Sequence, residues 1–349
     1  MDYALHPINA DWSPQSKVDL LWQMLRIRRF EQGCLRQYNS GNMGGWLLLD
    51  IGQESIAAGV RSLLGPDDHT ISGPRGLGHA LAAGLEFGPC MAELYGKQAG
   101  SSHGKGGMFS MFAPDRNHWG CYGIAAAQTP VAAGLAFGLK QRSIPGAVVC
   151  FLGDGATNQG VYHESLNLAG LFGLPVVYLI ENNHFSMGTS VARSSRFTDC
   201  LARRAETYGI AWDQFSGTDL YEVRARVSTA LDRARRELQP TVLEIDTYRY
   251  YGFTIADANH KKYRTPEDIE ERKARDPIML WTQHLFANQW LTEADYEAMD
   301  ETIKHEVAAA VRFAEDGPAP TLGDVGRDVY WESDHDTPAA RIGRHFFDD

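Results

Sequence analysis

Two short apolar segments separated by one helix-length segment constrain the fold of this chain most strongly. The first apolar segment covers residues 147–152 and the second covers residues 175–180, while residues 161–171 between them have the pattern of a helix. Continuous apolar runs are typical of strands that are buried on both faces, as in a parallel sheet. We therefore predict a strand, a crossover helix and a second strand that lies beside the first.

The alternation of helices and strands extends beyond this unit. Residues 18–25 carry apolar side chains at helical spacing, and Ser16 and Asp19 resemble a capping box at the start of that helix. A second amphipathic helix is predicted over about residues 221–238, followed by a strand over residues 241–247. The predicted fold class is therefore α/β, with a doubly wound parallel sheet and flanking helices.

The same patterns divide the chain into three predicted regions. Residues 1–45 form an N-terminal helical segment, and residues 46–264 form the α/β domain. Residues 265–349 form a C-terminal helical part and tail, because charged helical segments without strand signals begin there.

Charge and composition argue against several classes of protein. The 349 residues include 44 acidic and 33 basic side chains, and this net charge of −11 does not suit a surface that neutralises nucleic-acid phosphates. The five cysteines are widely spaced, and the N-terminus carries no recognisable targeting signal. Apolar runs are far shorter than the ~20 residues that cross a bilayer. We expect a soluble cytoplasmic protein that binds neither nucleic acid nor membrane.

Polar residues follow both predicted strands at the point where each strand ends. Asp154 stands in a Gly-Asp-Gly turn after the first strand, and Asn183 ends a Glu-Asn-Asn sequence after the second. Neighbouring parallel strands end at the same edge of a sheet, where ligands bind. Magnesium prefers such oxygen ligands, and a helix N-terminus favours an anion. A Gly-Asp-Gly turn alone is typical of surface loops, but the two motifs at this spacing predict a site for magnesium and a diphosphate.

These motifs lie within a broad resemblance to the alpha subunits of the thiamine diphosphate-dependent 2-oxo acid dehydrogenases, which include pyruvate, branched-chain and acetoin types. Only the two ends of the chain fall outside this resemblance. The segments that carry it are IGQESIAAG (51–59), GKGG (104–107), GIAAAQTPVAAG (123–134), GDGATNQGVYHESLN (153–167), ENNHFSMGTS (181–190), DTYRYYG (246–252) and YRTPEDIEERKARDPI (263–278).

The resemblance implies cofactors, partners and a reaction. Proteins of this family hold thiamine diphosphate and magnesium between an alpha and a beta subunit, usually in a heterotetramer of two alpha and two beta chains. The beta subunit supplies the glutamate that activates the aminopyrimidine. The enzyme decarboxylates a small-molecule 2-oxo acid and passes the acyl or hydroxyalkyl unit onward, ordinarily to the lipoyl domain of an acyltransferase. The chain is therefore expected to be the alpha subunit of such an enzyme.

The resemblance also assigns roles to individual residues. Asp154, Asn183 and the carbonyl oxygen of Phe185 would ligate magnesium. Arginines suit phosphate oxygens, and small residues allow a close backbone approach to the aminopyrimidine, although helix packing explains small residues equally well. The other implied cofactor contacts are Pro74, Arg75, Gly123, Ala125, Gly155, Ala156 and Arg249.

The usual histidines around the thiazolium are the point at which this sequence departs from the family. Leucine, serine and phenylalanine cannot orient a substrate carboxylate and shuttle protons as histidine does. The sequence therefore leaves the catalytic groups unknown. The positions concerned are Leu48, Leu77, Ser110 and Phe253. Histidines that could compensate are His79, His103, His118 and His184.

Three functions remain open at this point. The first is the dehydrogenase component described above. The second is a non-oxidative thiamine-dependent carboligase or decarboxylase, because an apolar cavity lined by Leu48, Leu77 and Phe253 would suit a bulkier or uncharged donor. The third is a non-catalytic assembly or regulatory subunit, although such a subunit would have no need to retain Asp154 and Asn183 in register.

Overall fold

A computed structural model of the protein describes residues 2–257 and 260–327. The strands in this part of the chain are β1 His69–Ser72, β2 His118–Cys121, β3 Val148–Gly153, β4 Val176–Asn182, β5 Phe185–Ser186, β6 Thr189–Ser190, β7 Ala211–Ser216 and β8 Thr241–Asp246.

The α-helices are α1 Pro7–Ala10, α2 Pro14–Asn39, α3 Glu54–Arg61, α4 Leu77–Ala82, α5 Phe87–Leu94, α6 Gln128–Gln141, α7 Gly160–Phe172, α8 Val191–Ser194, α9 Leu220–Asp232, α10 Pro266–Lys273, α11 Pro277–Ala287 and α12 Glu293–Asp316. Short 3-10 helices cover Tyr3–Leu5, Gly107–Ser110, Pro114–Arg116, Asp154–Asn158, Ala202–Tyr208, His260–Lys262 and Leu322–Gly326.

Six strands form one sheet in the order β2-β1-β3-β4-β8-β7, and every neighbouring pair in it is parallel. The predicted strand–helix–strand unit is β3, α7 and β4, and its two strands are direct neighbours. The strands β5 and β6 form a separate antiparallel hairpin. The predicted parallel sheet is therefore confirmed.

Both faces of the sheet are covered by helices. Along β3, Val148, Cys150 and Leu152 belong to the apolar cluster that contains the buried side chains of α6 and α7. Val149 and Phe151 alternate with them and belong to the cluster that contains the buried side chains of α3 and α9. A strand with apolar residues on both faces needs helices on both sides, and this is the doubly wound arrangement that the sequence predicts.

The C-terminal helices pack against the N-terminal helix. A third apolar cluster joins Met24 and Phe30 of α2 to Met91 of α5 and to Ile303 and Val307 of α12. The described part of the chain after residue 265 contains helices and no strand, as predicted. The division into regions 1–45, 46–264 and 265–349 stays a prediction.

Two helix ends differ from the sequence-based expectation. The first long helix begins at Pro14, and its cap is Ser13, whose hydroxyl accepts from the backbone N–H of Ser16 at 3.1 Å. Proline suits the first helical position because it lacks an N–H group that would go unpaired there. The helix predicted over residues 221–238 is α-helical only to Asp232 and then continues as a π-helix, Arg233–Glu237.

The cysteines Cys34, Cys90, Cys121, Cys150 and Cys200 are all free and buried. None of the helices described for this chain is both long enough and apolar enough to cross a membrane.

Candidate functional site

Four adjacent strands end beside one another and deliver one polar residue each to the same edge of the sheet. In sheet order, Arg75 follows β1, Asp154 follows β3, Asn183 follows β4 and Arg249 follows β8. The register aligns Gly153 of β3 with the end of β4, so the ends of these strands lie level. The carboxyl edge of a parallel sheet is where ligands bind in such folds, and the topology places these four side chains there.

A cavity of about 210 Å³ opens at this edge. All the residues that the family resemblance assigns to the cofactor or the metal line it, and they come from the ends of five strands, β1, β2, β3, β4 and β8. They are Pro74, Arg75, Gly123, Ala125, Asp154, Gly155, Ala156, Asn183, Phe185 and Arg249.

Two oxygens beside this cavity converge on one positively charged atom. The Nη1 atom of Arg249 donates to Oδ1 of Asn183 at 3.2 Å and to the carbonyl oxygen of Phe185 at 2.6 Å. The other terminal nitrogen of Arg249 donates to the carbonyl oxygen of Met187 at 2.6 Å and to the hydroxyl of Tyr263 at 3.2 Å. An amide oxygen and a carbonyl oxygen are therefore already arranged to hold a cation.

The carboxylate of Asp154 belongs to the lining of the same cavity. Asp154 is 3% exposed, and its Oδ2 atom is buried without a hydrogen-bond partner. Burial raises the pKa of Asp154 to about 6, while the positive charge of Arg249 counteracts part of this rise. A buried carboxylate oxygen without a partner is costly unless a cation approaches it. Asp154, Asn183 and Phe185 therefore fit a hard divalent cation such as magnesium.

Two arginines, Arg75 and Arg249, bring positive charge to the same cavity. Arg75 donates to the carbonyl oxygens of Leu49 and Phe253, the second at 3.1 Å. Burial, together with the nearby positive charge of Arg249, lowers the pKa of Arg75 to about 10, so this side chain remains charged at neutral pH. Two cationic forks that repel one another favour an anion between them, and a diphosphate has the required oxygens.

The backbone after Asp154 differs slightly from the sequence-based expectation. Gly155 and Ala156 lie in the 3-10 helix Asp154–Asn158, and α7 begins only at Gly160. Gly155 and Ala156, the lining residues of this segment, therefore belong to a tight turn rather than to the first turn of α7. A Cβ atom at Gly155 would lie 2.0 Å from the hydroxyl oxygen of Ser186, so only glycine fits there.

The four positions without the usual histidine fall into two groups. Leu48 and Phe253 line the cavity, as expected for an apolar reaction chamber. Leu77 lies outside the lining because it starts α4 and is fully buried in the core with α2 and α5. Ser110 also lies outside it, at the end of the 3-10 helix Gly107–Ser110. The apolar character of the cavity therefore comes from Leu48 and Phe253, and the expectation that Leu77 contributes to it is not met.

The candidate replacement histidines do not face this cavity. Among the residues that the structure describes, no histidine belongs to its lining. His103 is exposed, and the ring of His118 is buried against the hydroxyl of Thr70 at 2.9 Å. His184 contacts a carboxylate oxygen of Asp246 at 2.5 Å. His79 comes closest, because its Nε2 atom lies 3.1 Å from Oε1 of Glu181, a lining residue.

Asp50, His79 and Glu181 form a buried polar cluster, and Glu181 of this cluster lines the cavity. The ring of His79 stacks on Phe151 with a centroid distance of 3.8 Å. Burial would lower the pKa of His79, but the carboxylate of Glu181 raises it above its usual value. Burial and the negative charge of Glu181 raise the pKa of Asp50 to about 7. Ligand atoms of Asp50, His79 and Glu181 lie within 4.8 Å of one another.

Three polar residues of the lining, Gln53, Glu181 and Ser186, were not predicted from the sequence. Gln53 belongs to the segment 51–59, which carried the family resemblance without being given a role, and Glu181 starts the Glu-Asn-Asn sequence. Met187, from the loop after Asn183, was missed as well. The available signal was that Gln53 lies in a segment of the family resemblance and that Glu181 directly follows an apolar strand, next to the predicted ligand Asn183.

Comparison with known proteins shows which family and which characterised chains this sequence is similar to. Residues 22–322 match the family model described as dehydrogenase E1 component. The "Pyruvate dehydrogenase E1 component subunit alpha" of Rickettsia felis is 40% identical over 307 residues, which cover 88% of this chain and 93% of that protein. The protein of the same name from Rhizobium meliloti is 37% identical over 321 residues, covering 92% and 91% respectively. That of Zymomonas mobilis is 40% identical over 300 residues, covering 85% and 84%.

Proposed function

This chain belongs to the dehydrogenase E1 component family, and from that premise we propose that it binds thiamine diphosphate through a magnesium ion held by Asp154, Asn183 and the carbonyl oxygen of Phe185. Membership makes it a component of a thiamine diphosphate-dependent 2-oxo acid dehydrogenase, which decarboxylates its substrate and transfers the acyl group onward. Such a component works with a beta subunit and a lipoyl acyltransferase.

One observation carries the metal assignment. Oxygens of Asn183 and Phe185 meet the same cationic nitrogen of Arg249, and Oδ2 of Asp154 is buried without a partner. Three oxygen ligands from the protein leave room in an octahedron for phosphate oxygens and water, which is the usual arrangement for magnesium. The arginines Arg75 and Arg249 would neutralise the rest of the diphosphate charge.

The residues of this chain bind and orient, whereas the cofactor supplies the reactive carbon. When bound, thiamine diphosphate would supply a nucleophilic thiazolium carbon and a positively charged ring that serves as the electron sink for decarboxylation of a 2-oxo acid. Leu48 and Phe253 keep water away from the cavity, which strengthens electrostatic interactions inside it. The buried pair of His79 and Glu181 keeps a proton close to the cavity wall.

We propose that two alpha and two beta chains form the working enzyme. An exposed apolar surface on α6 and α7 supports a permanent partner, since large apolar patches are uncommon on isolated subunits. Its residues are Val131, Phe137, Leu168, Leu171 and Phe172. The beta subunit would supply the glutamate that activates the aminopyrimidine.

The donor is proposed to be a 2-oxo acid, and pyruvate is the first compound to test because the relatives are named for it. A second reaction is also favoured by a specific observation. Leu48 and Phe253 line the cavity, whereas no described histidine does. Without these proton-transfer groups, the activated unit could be passed to an aldehyde or ketone in a non-oxidative ligation rather than to lipoamide.

Turnover assays separate these possibilities. The chain would be purified with its beta partner and supplied with thiamine diphosphate, magnesium and a series of 2-oxo acids. Each acid would be assayed with an artificial electron acceptor, with a lipoyl domain and with an aldehyde. Acylation of the lipoyl domain supports the dehydrogenase reaction, and a carbon–carbon product with the aldehyde supports ligation. Absence of decarboxylation with every acid and acceptor would contradict both.

A further inference from the structure

We propose that Gln53 is a positioning residue that turns the amide oxygen of Asn183 toward the metal. The proposal rests on the proposed function, because it concerns how one ligand of that metal is oriented. It assigns a role to Gln53 of the IGQE sequence, residues 51–54, because this glutamine lines the cavity. Three hydrogen bonds support this role: the first two each have one possible direction, and together they set the direction of the third.

The first bond fixes which atom of Asn183 faces the cavity. A guanidinium group donates hydrogen bonds and cannot accept them. The atom of Asn183 that lies 3.2 Å from Nη1 of Arg249 is therefore its oxygen, Oδ1. The amide nitrogen of Asn183 must point the other way, toward Gln53.

The second bond begins at the opposite end of the chain of contacts. Oδ1 of Asp50 lies 2.6 Å from Nε2 of Gln53. At pH 8, above its pKa of about 7, the Asp50 carboxyl is ionised, so it accepts hydrogen bonds and has no proton to donate. The atom of Gln53 beside Asp50 is therefore the nitrogen, and the oxygen Oε1 of Gln53 must face away from Asp50.

The third bond joins these two ends without conflict. Nδ2 of Asn183 donates to Oε1 of Gln53 at 3.2 Å. Gln53 is completely buried, and Asn183 is 6% exposed, so water offers little alternative to this bond. If the Asn183 amide turned over, its oxygen would face the oxygen of Gln53, and a buried acceptor would lose its partner. Asp50 thus orients the amide of Gln53, and Gln53 in turn orients the amide of Asn183 so that Oδ1 faces the cavity.

Backbone hydrogen bonds hold Asp50 in place at the start of this relay, the hydrogen-bonded series Asp50, Gln53 and Asn183. The N–H group of Asp50 donates to both carboxylate oxygens of Glu31, at 2.9 and 2.8 Å. The N–H group of Gln53 donates to the carbonyl oxygen of Asp50 at 2.8 Å, directly before α3 begins at Glu54. Gly78 leaves room for the Asp50 side chain, because a Cβ atom there would lie 2.4 Å from Oδ2 of Asp50. The relay thus stands on the rigid junction between α2, α3 and α4.

The test is a double-mutant cycle on metal affinity rather than on turnover. Four forms of the alpha–beta complex would be compared: the unmodified protein, Gln53→Met, Asn183→Asp and the double variant. Methionine keeps the length of glutamine and offers Asn183 only a weak sulfur acceptor in place of the amide oxygen. The probe is Mn²⁺ with saturating thiamine diphosphate at pH 8, and free Mn²⁺ is measured by electron paramagnetic resonance.

The two backgrounds should respond differently. Loss of a group that orients a metal ligand typically weakens metal binding by about 10- to 100-fold, and we expect Gln53→Met to do so in the unmodified protein. An aspartate at position 183 has two equivalent oxygens and needs no orienting. In the Asn183→Asp background, Gln53→Met should therefore leave Mn²⁺ affinity unchanged, or raise it by removing an oxygen that faces the carboxylate.

Several outcomes would overturn the proposal. Equal weakening by Gln53→Met in both backgrounds would indicate a general structural effect, and no weakening in the unmodified protein would remove the role altogether. Either result leaves the metal site intact, whereas an unmodified complex that binds no Mn²⁺ with thiamine diphosphate would overturn the proposed function as well.

A matched control separates folding from orientation. Gln128 is also fully buried, and its amide nitrogen donates to the carbonyl oxygen of Phe151 at 2.8 Å without contacting Asn183. Gln128→Met should lower the thermal stability and leave Mn²⁺ affinity unchanged. If Gln53→Met fails to fold, Gln53→Leu carries the same expectation, and unchanged Mn²⁺ affinity in that variant would also overturn the proposal.

Discussion

Nη1 of Arg249 donates to Oδ1 of Asn183 at 3.2 Å, and the same atom donates to the carbonyl oxygen of Phe185. A positively charged nitrogen thus contacts the two oxygens that are proposed to ligate a metal ion. The arginine and the ion cannot hold both oxygens at once, because their positive charges repel. Binding of the metal together with a diphosphate therefore requires Arg249 to release the oxygens and turn to the phosphate.

This exchange predicts that Arg249→Lys weakens thiamine diphosphate binding although the charge is kept. A lysine ammonium cannot replace a planar fork that contacts several oxygens at once. Losing a charge-assisted hydrogen bond costs ~1.5–3 kcal/mol, so the Kd should rise by roughly 10- to 100-fold in calorimetric titration with magnesium present. Arg196→Lys, at an exposed position outside the cavity, should leave the Kd unchanged. An unaltered Kd in Arg249→Lys would contradict the assignment.

The apolar lining predicts a gain of function from a restored histidine. Phe253→His and Leu48→His each place an imidazole in the cavity. If absent proton transfer limits acylation of a lipoyl domain, each substitution should raise that rate by about tenfold or more, within the usual range for general acid–base catalysis. Phe112→His, outside the lining, is the control. Rates that stay unchanged in both cavity variants would show that proton transfer is supplied from elsewhere.

The carboxyl of Asp50 predicts a pH dependence of stability. Burial raises its pKa to about 7, compared with ~3.9 in an unfolded chain. The folded protein therefore keeps a proton that the unfolded chain releases, and the contribution of this group to the free energy of unfolding falls as pH rises from ~4 to ~7. Asp50→Asn removes the ionisation and keeps an oxygen acceptor. Urea unfolding across this range should show a smaller decline than in the unmodified protein, and an equal decline would refute the prediction.

The ion pairs of Arg28 predict a large loss of stability. Arg28 on α2 contacts Glu54 of α3 and also donates to Asp276 at 2.8 Å. Glu54 is fully buried, so Arg28→Met leaves a buried carboxylate without its partner. Breaking a buried pair in this way costs about 3–5 kcal/mol in free energy of unfolding.

The control for Arg28→Met is an exposed pair of the same type. Arg203→Met breaks the contact between Arg203 and Glu206, whose side chains are both more than half exposed. Such surface pairs contribute at most about 1 kcal/mol. Urea unfolding that gave equal losses for Arg28→Met and Arg203→Met would show that the buried contact does not hold α2 to α3.

Much of the fold and the charged part of the site could be predicted from sequence. The apolar run of β3 has no alternation because helices cover both of its faces, and this pattern alone indicates a parallel sheet. Asp154 and Asn183 follow neighbouring strands, so their approach needs no knowledge beyond strand order. Sequence patterns therefore predict the positions of residues best where the parallel sheet fixes those positions.

The rest depends on directions that a sequence pattern does not contain. Leu77 occupies a matched position in the family, but its side chain starts α4 and is buried in the core instead of the cavity. Gln53 contacts Asn183 because the chain directly before α3 lies beside the end of β4. These two residues are 130 positions apart, so no local sequence pattern predicts their contact. The start of α2 was signalled by Ser13 and Pro14, and it was missed because Ser16 offered a competing cap.

The proposed magnesium-dependent binding of the cofactor can be measured by calorimetric titration of thiamine diphosphate into the alpha–beta complex. The measurement would be made with and without magnesium, on the unmodified protein and on Asp154→Ala, with Asp115→Ala as an exposed control. We expect binding that requires magnesium, is lost in Asp154→Ala and is unchanged in Asp115→Ala. Binding of equal affinity without magnesium, or in Asp154→Ala, would contradict the proposal.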